Sequence, residues 1–239
     1  MNNLIIGLDL SFNSTGITIT CFDDFDAKTI EFHRVLFDDE SSKKGKTYNP
    51  TKLKNINNHV YKLPNGLKTE NLLLSIEDKN NENQLDKTLQ AIMCSKKISR
   101  VLLDSVIKYK PTNIIVSIEN YIMPSFSGKN QLNNVGALIT LQGFVRKFVI
   151  QLCVEKNIFL KMIFPTPSSN KKIFSGDGSA DKEKMIITFI NKYEGNKLIP
   201  QASVEEIHKI NDVIDSFALM VYAFSKLIKN QNVWSNNQF

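Results

Sequence analysis

Cysteine is scarce: Cys21, Cys94 and Cys153 are the only three in 239 residues, far apart and in no C-x-x-C or Cys/His spacing. That pattern supplies neither a disulfide framework nor a zinc site, and it fits a reducing, intracellular setting. Glycine and proline are also few, ten and seven, while 42% of the residues are apolar. Such a chain buries a sizeable core unaided, and the expectation is one domain over residues 1–239 carrying an insertion. Long hydrophobic runs are missing as well. The first apolar run is broken at Asp9 and follows no basic leader, so neither a signal peptide nor a membrane span is expected. A net charge of +6 with a pI near 9.1 favours polyanionic partners. The abundance of Lys, Asn and Ile is equally the mark of an AT-rich genome, which discounts that charge.

What is present begins with strands. Residues 4–10 (LIIGLDL) form an apolar run with a single acid, SFNSTG is turn-rich, and 17–22 (ITITCF) alternates. A third alternating stretch, 29–37 (TIEFHRVLF), completes an antiparallel meander. Periodicity then fades from about 38 to 86. Between Ser41 and Thr69 there are seven lysines and no acid, with Tyr48, His59 and Tyr61 interleaved. That composition suits an insertion that follows a phosphate backbone and stacks on bases, or a solvated excursion. Apolar periodicity from Leu89 to Ile107 predicts a helix ending before Pro111, followed by a buried strand, 113–119 (NIIVSIE). A helix over 132–156, a strand over 158–164, a loop over 165–178, a helix over 181–193 and a final helix over 212–228 complete the chain. A meander leading into βαβ units predicts an α/β fold with a mixed sheet covered by helices.

Four acids stand out. Asp9 lies inside an apolar strand run, where an ionised carboxylate is costly unless paired or bound to a cation. Glu119 closes the later apolar strand. Asp212 and Asp215 are three residues apart at a helix start and point to one side. Each has an ordinary explanation when taken singly: Asp9 as a turn residue, Glu119 as a solvated strand end, Asp212 and Asp215 as a cap and a first-turn acid. Taken jointly they can meet at one end of a sheet. Their mutual repulsion would then be relieved by hard divalent cations, and two such ions about 4 Å apart serve in-line phosphoryl displacement. Mg²⁺ is the natural ion and Mn²⁺ a substitute. His33, His59 and His208 have no ligand-like spacing.

These segments resemble the RuvC-like Holliday junction resolvases, including their viral and phage relatives. IIGLDLSFNSTG resembles the family's first strand and turn, VSIENYI its second acidic motif, and NVGALITLQGFV the helix that follows, with a Gly-rich face that helps form the dimer. GSADKEKM resembles the stretch carrying a basic residue near the scissile phosphate, and NDVIDSFALM the final motif. The resemblance implies a ribonuclease H-like fold with a five-stranded mixed sheet. It also implies a crossover junction endodeoxyribonuclease that is Mg²⁺-dependent, leaves 5′-phosphates and works with two ions per site. Asp9, Glu119, Asp212 and Asp215 would be the metal ligands, and Lys182 the catalytic basic residue that stabilises the extra negative charge on the scissile phosphate. It further implies a homodimer on branched DNA, no membrane partner, no nucleotide cofactor, and a cytoplasmic or nucleoid location, including that of a virus-infected host cell. Tyr121, Ile122, Met123 and Phe126 would form a wedge at the junction centre. Lys129, Arg146, Lys147, Lys171 and Lys172 would contact phosphates without reading sequence. The lysine-rich insertion has no counterpart in the family pattern.

Two other classes compete. A small-molecule kinase or ATPase of the actin-like fold also opens with Gly-x-Asp and a small-residue turn, but it needs a second Gly-rich phosphate loop, for which NYIMPS and PTPSSN are poor substitutes. A catalytically inactive DNA-binding relative is the other, and the presence of all four acids counts against it.

Overall fold

The computed structural model describes residues 3–23, 26–38, 53, 55–62, 79–120, 129–200 and 203–229. Strands β1 (Asn3–Asp9), β2 (Ser14–Asp23) and β3 (Asp26–Asp38) form the expected meander. β4 (Ile56–Lys62) follows, then helix α1 (Lys79–Tyr109), β5 (Asn113–Ile118), α2 (Lys129–Lys156) and β6 (Phe159–Ile163). The chain continues through α3 (Pro167–Ser175), α4 (Lys182–Lys192), the short α5 (Gly195–Leu198) and α6 (Val204–His208), and ends its described part in α7 (Asn211–Lys229).

One sheet results, in the order β4-β3-β2-β1-β5-β6. β1 pairs antiparallel with β2 and parallel with β5, β5 pairs parallel with β6, and β2 pairs antiparallel with β3. The sheet therefore has six strands where five were expected. The added strand, β4, comes from the insertion and runs parallel to β3 at the sheet edge. Its sequence, INNHVYK, is polar because an edge strand is half solvated, and so it carries no alternating apolar signal. His59 and Tyr61, which suited either base stacking or a solvated excursion, attach β4 to the sheet. The His59 ring lies with its Nε2 3.1 Å from His33 Nδ1, and Tyr61 stacks on Phe37 with Lys97 above its ring. Tyr48 and the lysines at 43, 44, 46, 52, 54 and 68 lie outside the described residues.

A second correction concerns 165–178, expected as a loop. Much of it is α3, whose start is built from Thr166 as N-cap, accepting from the Ser169 N–H, with Pro167 in the first turn. Gly176, in the left-handed region at φ 83°, ends the helix.

Helices cover both faces. Leu4, Ile6 and Leu8 of β1, with Ile114, Val116 and Ile118 of β5, pack against Ala91, Ile98 and Leu102 of α1 and Leu141, Val145 and Val149 of α2. The opposite face, with Ile5, Phe32 and Ile115, packs against Phe174, Phe189 and the α7 residues Val213, Phe217 and Val221. Phe217 is the hub there: the rings of Phe32, Phe174, Phe189 and Tyr193 all lie within 6.1 Å of it. Residues Val135–Lys156 of α2 are long and apolar enough, by length and composition, to cross a membrane. In this fold the helix contributes Leu141, Val145, Val149, Leu152 and Cys153 to the core. All three cysteines are buried.

Candidate active site

The pocket is assembled by strand register and by missing side chains. β1 and β5 run parallel with Leu8 opposite Ile118, so Asp9 and Glu119 are the next residues on neighbouring strands. By alternation both point to the α7 face, as do Ile5 and Ile115. Across β2, Asp9 is paired with Gly16. A methyl group added at Gly16 would fall 1.9 Å from the Asp212 carbonyl oxygen, and one at Gly7 would fall 2.0 Å from that of Ser216. These two glycines let the first turns of α7 lie directly on the sheet. Thr18 and Ser216 complete the contact through a 2.8 Å hydroxyl pair. Close approach of that helix is what carries Asp212 and Asp215 to Asp9 and Glu119.

Electrostatics show that the four acids share one field. Asp9 is held well above the ordinary carboxylate range, first by burial and then by the charges of Asp215, Glu119 and Asp212. Asp215 is pushed up to about 6 by burial, with Asp212 adding to it. Glu119 is raised by burial and by Asp215. Two lysines oppose this: Lys182 acts on Asp9 and Asp215, and Lys171 on Glu119 and Asp215. Lys182 is the first residue of α4, just after its N-cap Asp181, and Lys171 lies on α3. Lys172 is exposed on α3.

The turn after β1 is closed by Ser11 and Thr15, whose side chains and backbone bond to one another, and not by Asp9. Asp212 does not cap α7 but bonds to the strands beneath it. Its Oδ2 accepts from the Arg34 Nε at 2.8 Å and from the Ser14 hydroxyl. Its Oδ1 is buried with no hydrogen-bond partner.

Sequence reasoning passed over three supporting residues. Arg34 and Ser14 read as polar positions of alternating strands, and the signal lay only in the cost of burying a guanidinium, 5% exposed, without a partner. Gln142 of α2 donates to the Glu119 carbonyl at 2.6 Å. The Asn120 N–H donates to the Pro165 carbonyl at 2.8 Å, which fixes the other side of the same strand end. Arg146, one turn beyond Gln142, lies over the Phe164 ring at 3.9 Å. Lys147 is exposed on α2. Tyr121, Ile122, Met123 and Phe126 lie outside the described residues, as does the side chain of Lys129.

The donor set fits hard divalent cations: oxygen ligands only, an excess of buried negative charge, and one buried carboxylate oxygen with nothing to bind. Among the described residues, no three His, Cys, Asp or Glu side chains stand close enough together, as they are placed here, to hold a metal ion. The acids thus share one electrostatic field without forming a coordination shell.

No family model matches the sequence, and no curated protein matches it. Solved structures do. The chain is similar to RuvC. The Thermus thermophilus RuvC structure aligns over 95% of this chain and 96% of its own, with 13% identity and a TM-score of 0.47. T. thermophilus RuvC in complex with Holliday junction substrate aligns over 94% and 95%, with 12% identity and a TM-score of 0.44. The yeast mitochondrial Holliday junction resolvase Ydc2 aligns over 95% of this chain and 81% of that one, with 9% identity and a TM-score of 0.40.

Proposed function

We propose that the chain is a ribonuclease H-like, Mg²⁺-dependent endonuclease that cuts four-way or otherwise branched DNA. The observation that carries this reading is the gathering of four acids from three distant stretches of the chain into one buried field with two lysines at its rim. Asp9, Glu119, Asp215 and the free Oδ1 of Asp212 would hold the cations. Bound there, Mg²⁺ would supply charge neutralisation and activation of water for hydrolysis of a phosphodiester.

The protein's own residues do the rest. Gly7 and Gly16 keep α7 against the sheet, so that the ligand positions are preorganised. Gln142 fixes the strand end that carries Glu119. Lys182 and Lys171 place positive charge where a scissile phosphate would approach the acids, and the net charge of +6 favours the polyanion at longer range. A homodimer is proposed through α2. Gly136 and Gly143 have open space where a side chain would be, and Ile150 and Val154 are 47% and 75% exposed. The spacing 136, 143, 150, 154 puts all four on one side of the helix.

Labelled four-way junction, Y-form and linear duplex DNA with Mg²⁺ provide the test, comparing the native protein with Asp9→Asn and Asp215→Asn. Cleavage of branched DNA is expected, lost in both variants while junction binding is retained. Full activity in either variant rejects the site. A nucleotide-dependent thermal shift with no cleavage of any DNA would favour the kinase reading instead.

A further inference from the structure

The two oxygens of Asp212 are in different states. Oδ2 is occupied, accepting from the Arg34 Nε at 2.8 Å and from the Ser14 hydroxyl, and Arg34 Nε also reaches Ser14 Oγ at 3.0 Å. Oδ1 is buried without a partner. The arrangement is largely closed to solvent: the side chains of Arg34 and Asp212 are 6% and 10% exposed. Nor is there slack in the backbone. Arg34 and Ser14 stand on the paired strands β3 and β2, and the Asp212 peptide presses directly on Gly16, the residue opposite Arg34.

A carboxylate held in this way cannot turn both oxygens toward one cation. We infer that Arg34 and Ser14 are specificity-determining residues which, by occupying Oδ2, restrict Asp212 to a single-oxygen donor and bias the acidic pocket toward Mg²⁺ and against Ca²⁺. The inference rests on the metal reading of the pocket given above. Its chemical ground is the difference between the two ions. Ca²⁺ takes about six to eight oxygens and gains from carboxylates that bind through both, whereas Mg²⁺ requires a small octahedron of about 2.0–2.1 Å, to which each carboxylate gives one oxygen. Arginine suits the task, because its planar guanidinium presents donors in a fixed fork that matches a carboxylate. Residues that orient a metal ligand in this way commonly change ion affinity by about 10- to 100-fold when removed.

Calorimetric titration of the DNA-free, full-length protein with MgCl₂ and with CaCl₂ separates the possibilities, using the native chain, Arg34→Met, Ser14→Ala and Arg34→Lys. The ratio of Ca²⁺ to Mg²⁺ affinity is expected to rise about tenfold in Arg34→Met and about threefold in Ser14→Ala. It is expected to stay near native in Arg34→Lys, whose ammonium still covers Oδ2. Should Arg34→Met fail to fold, Ser14→Ala and Arg34→Lys carry the comparison. An unchanged ratio in Ser14→Ala and in every folded Arg34 variant, with both affinities moving together, overturns the inference and leaves Arg34 a purely structural residue. A native protein that binds neither ion sinks the metal reading itself, and this inference with it. Binding with a fixed ratio sinks this inference alone.

Discussion

Along β1 the residues facing α1 and α2 are Leu4, Ile6 and Leu8, whereas those facing α7 run Ile5, Gly7 and Asp9. The same strand thus has one side filled with branched aliphatics and another that thins to a hydrogen atom and ends in a carboxylate. On the first side the helices stand off by the thickness of a side-chain layer and the sheet contributes burial. On the second, α7 lies against backbone at Gly7 and Gly16, and the space gained at the strand ends is filled with charge. Both faces bury an apolar core. The α7 face, at its strand ends, gives some stability up to hold like charges together.

Substitutions on the two faces should therefore behave differently. Leu8→Ala, on the filled face, is expected to have the largest effect on stability, about 2–5 kcal/mol in urea unfolding, because a fully buried side chain leaves a cavity. Its cation affinity at a permissive temperature should stay native. Gly16→Ala should cost about 1–3 kcal/mol, since the new methyl meets the Asp212 backbone and must push α7 away. It should also weaken Mn²⁺ binding, which Leu8→Ala does not. Equal effects of the two on binding would erase the distinction between the faces.

Asp215→Asn should move stability the other way. The Asp215 carboxyl titrates at about 6 in the fold, against about 4 in an unfolded chain, so the native state holds its proton more tightly. Metal-free stability then falls as pH rises from about 4 to about 6, and the full penalty is present at pH 7. Removing the charge is expected to stabilise the metal-free protein by about 1–3 kcal/mol at pH 7 and by little at pH 4. A destabilised variant at pH 7 in the presence of chelator would contradict the crowding of charge described here. The smallest effect belongs to Tyr61→Ala at the far edge of the sheet, about 0.5–1.5 kcal/mol, from loss of the Phe37 and Lys97 contacts. DNA affinity should stay within about twofold of native, since Tyr61 is spent on attaching β4 and not on stacking bases.

The same contrast explains what the sequence allowed to be read. The filled face was legible, because Leu4, Ile6, Leu8 and the 113–118 run are buried on both sides and read as continuous apolar strands. The four acids were legible as exceptions inside such patterns. Arg34 was not: its partner Asp212 is 178 residues away, and a single arginine in an alternating strand looks like a solvent position until the fold buries it. β4 escaped because its contacts are ring against ring in an Asn-rich segment. The start of α3 was marked by Thr166-Pro167 and its end by Gly176, yet the Pro, Ser, Asn and Gly content of the segment masked that punctuation.

The central claim, that the four acids together make a divalent-cation site, is tested most directly by the thermal midpoint at pH 7.5 in chelator and in saturating Mn²⁺. The native protein is expected to gain several degrees, in keeping with about 2.7 kcal/mol at a hundredfold excess over the dissociation constant. Asp9→Asn should gain almost nothing. An equal gain in both proteins, or none in the native one, would contradict the account.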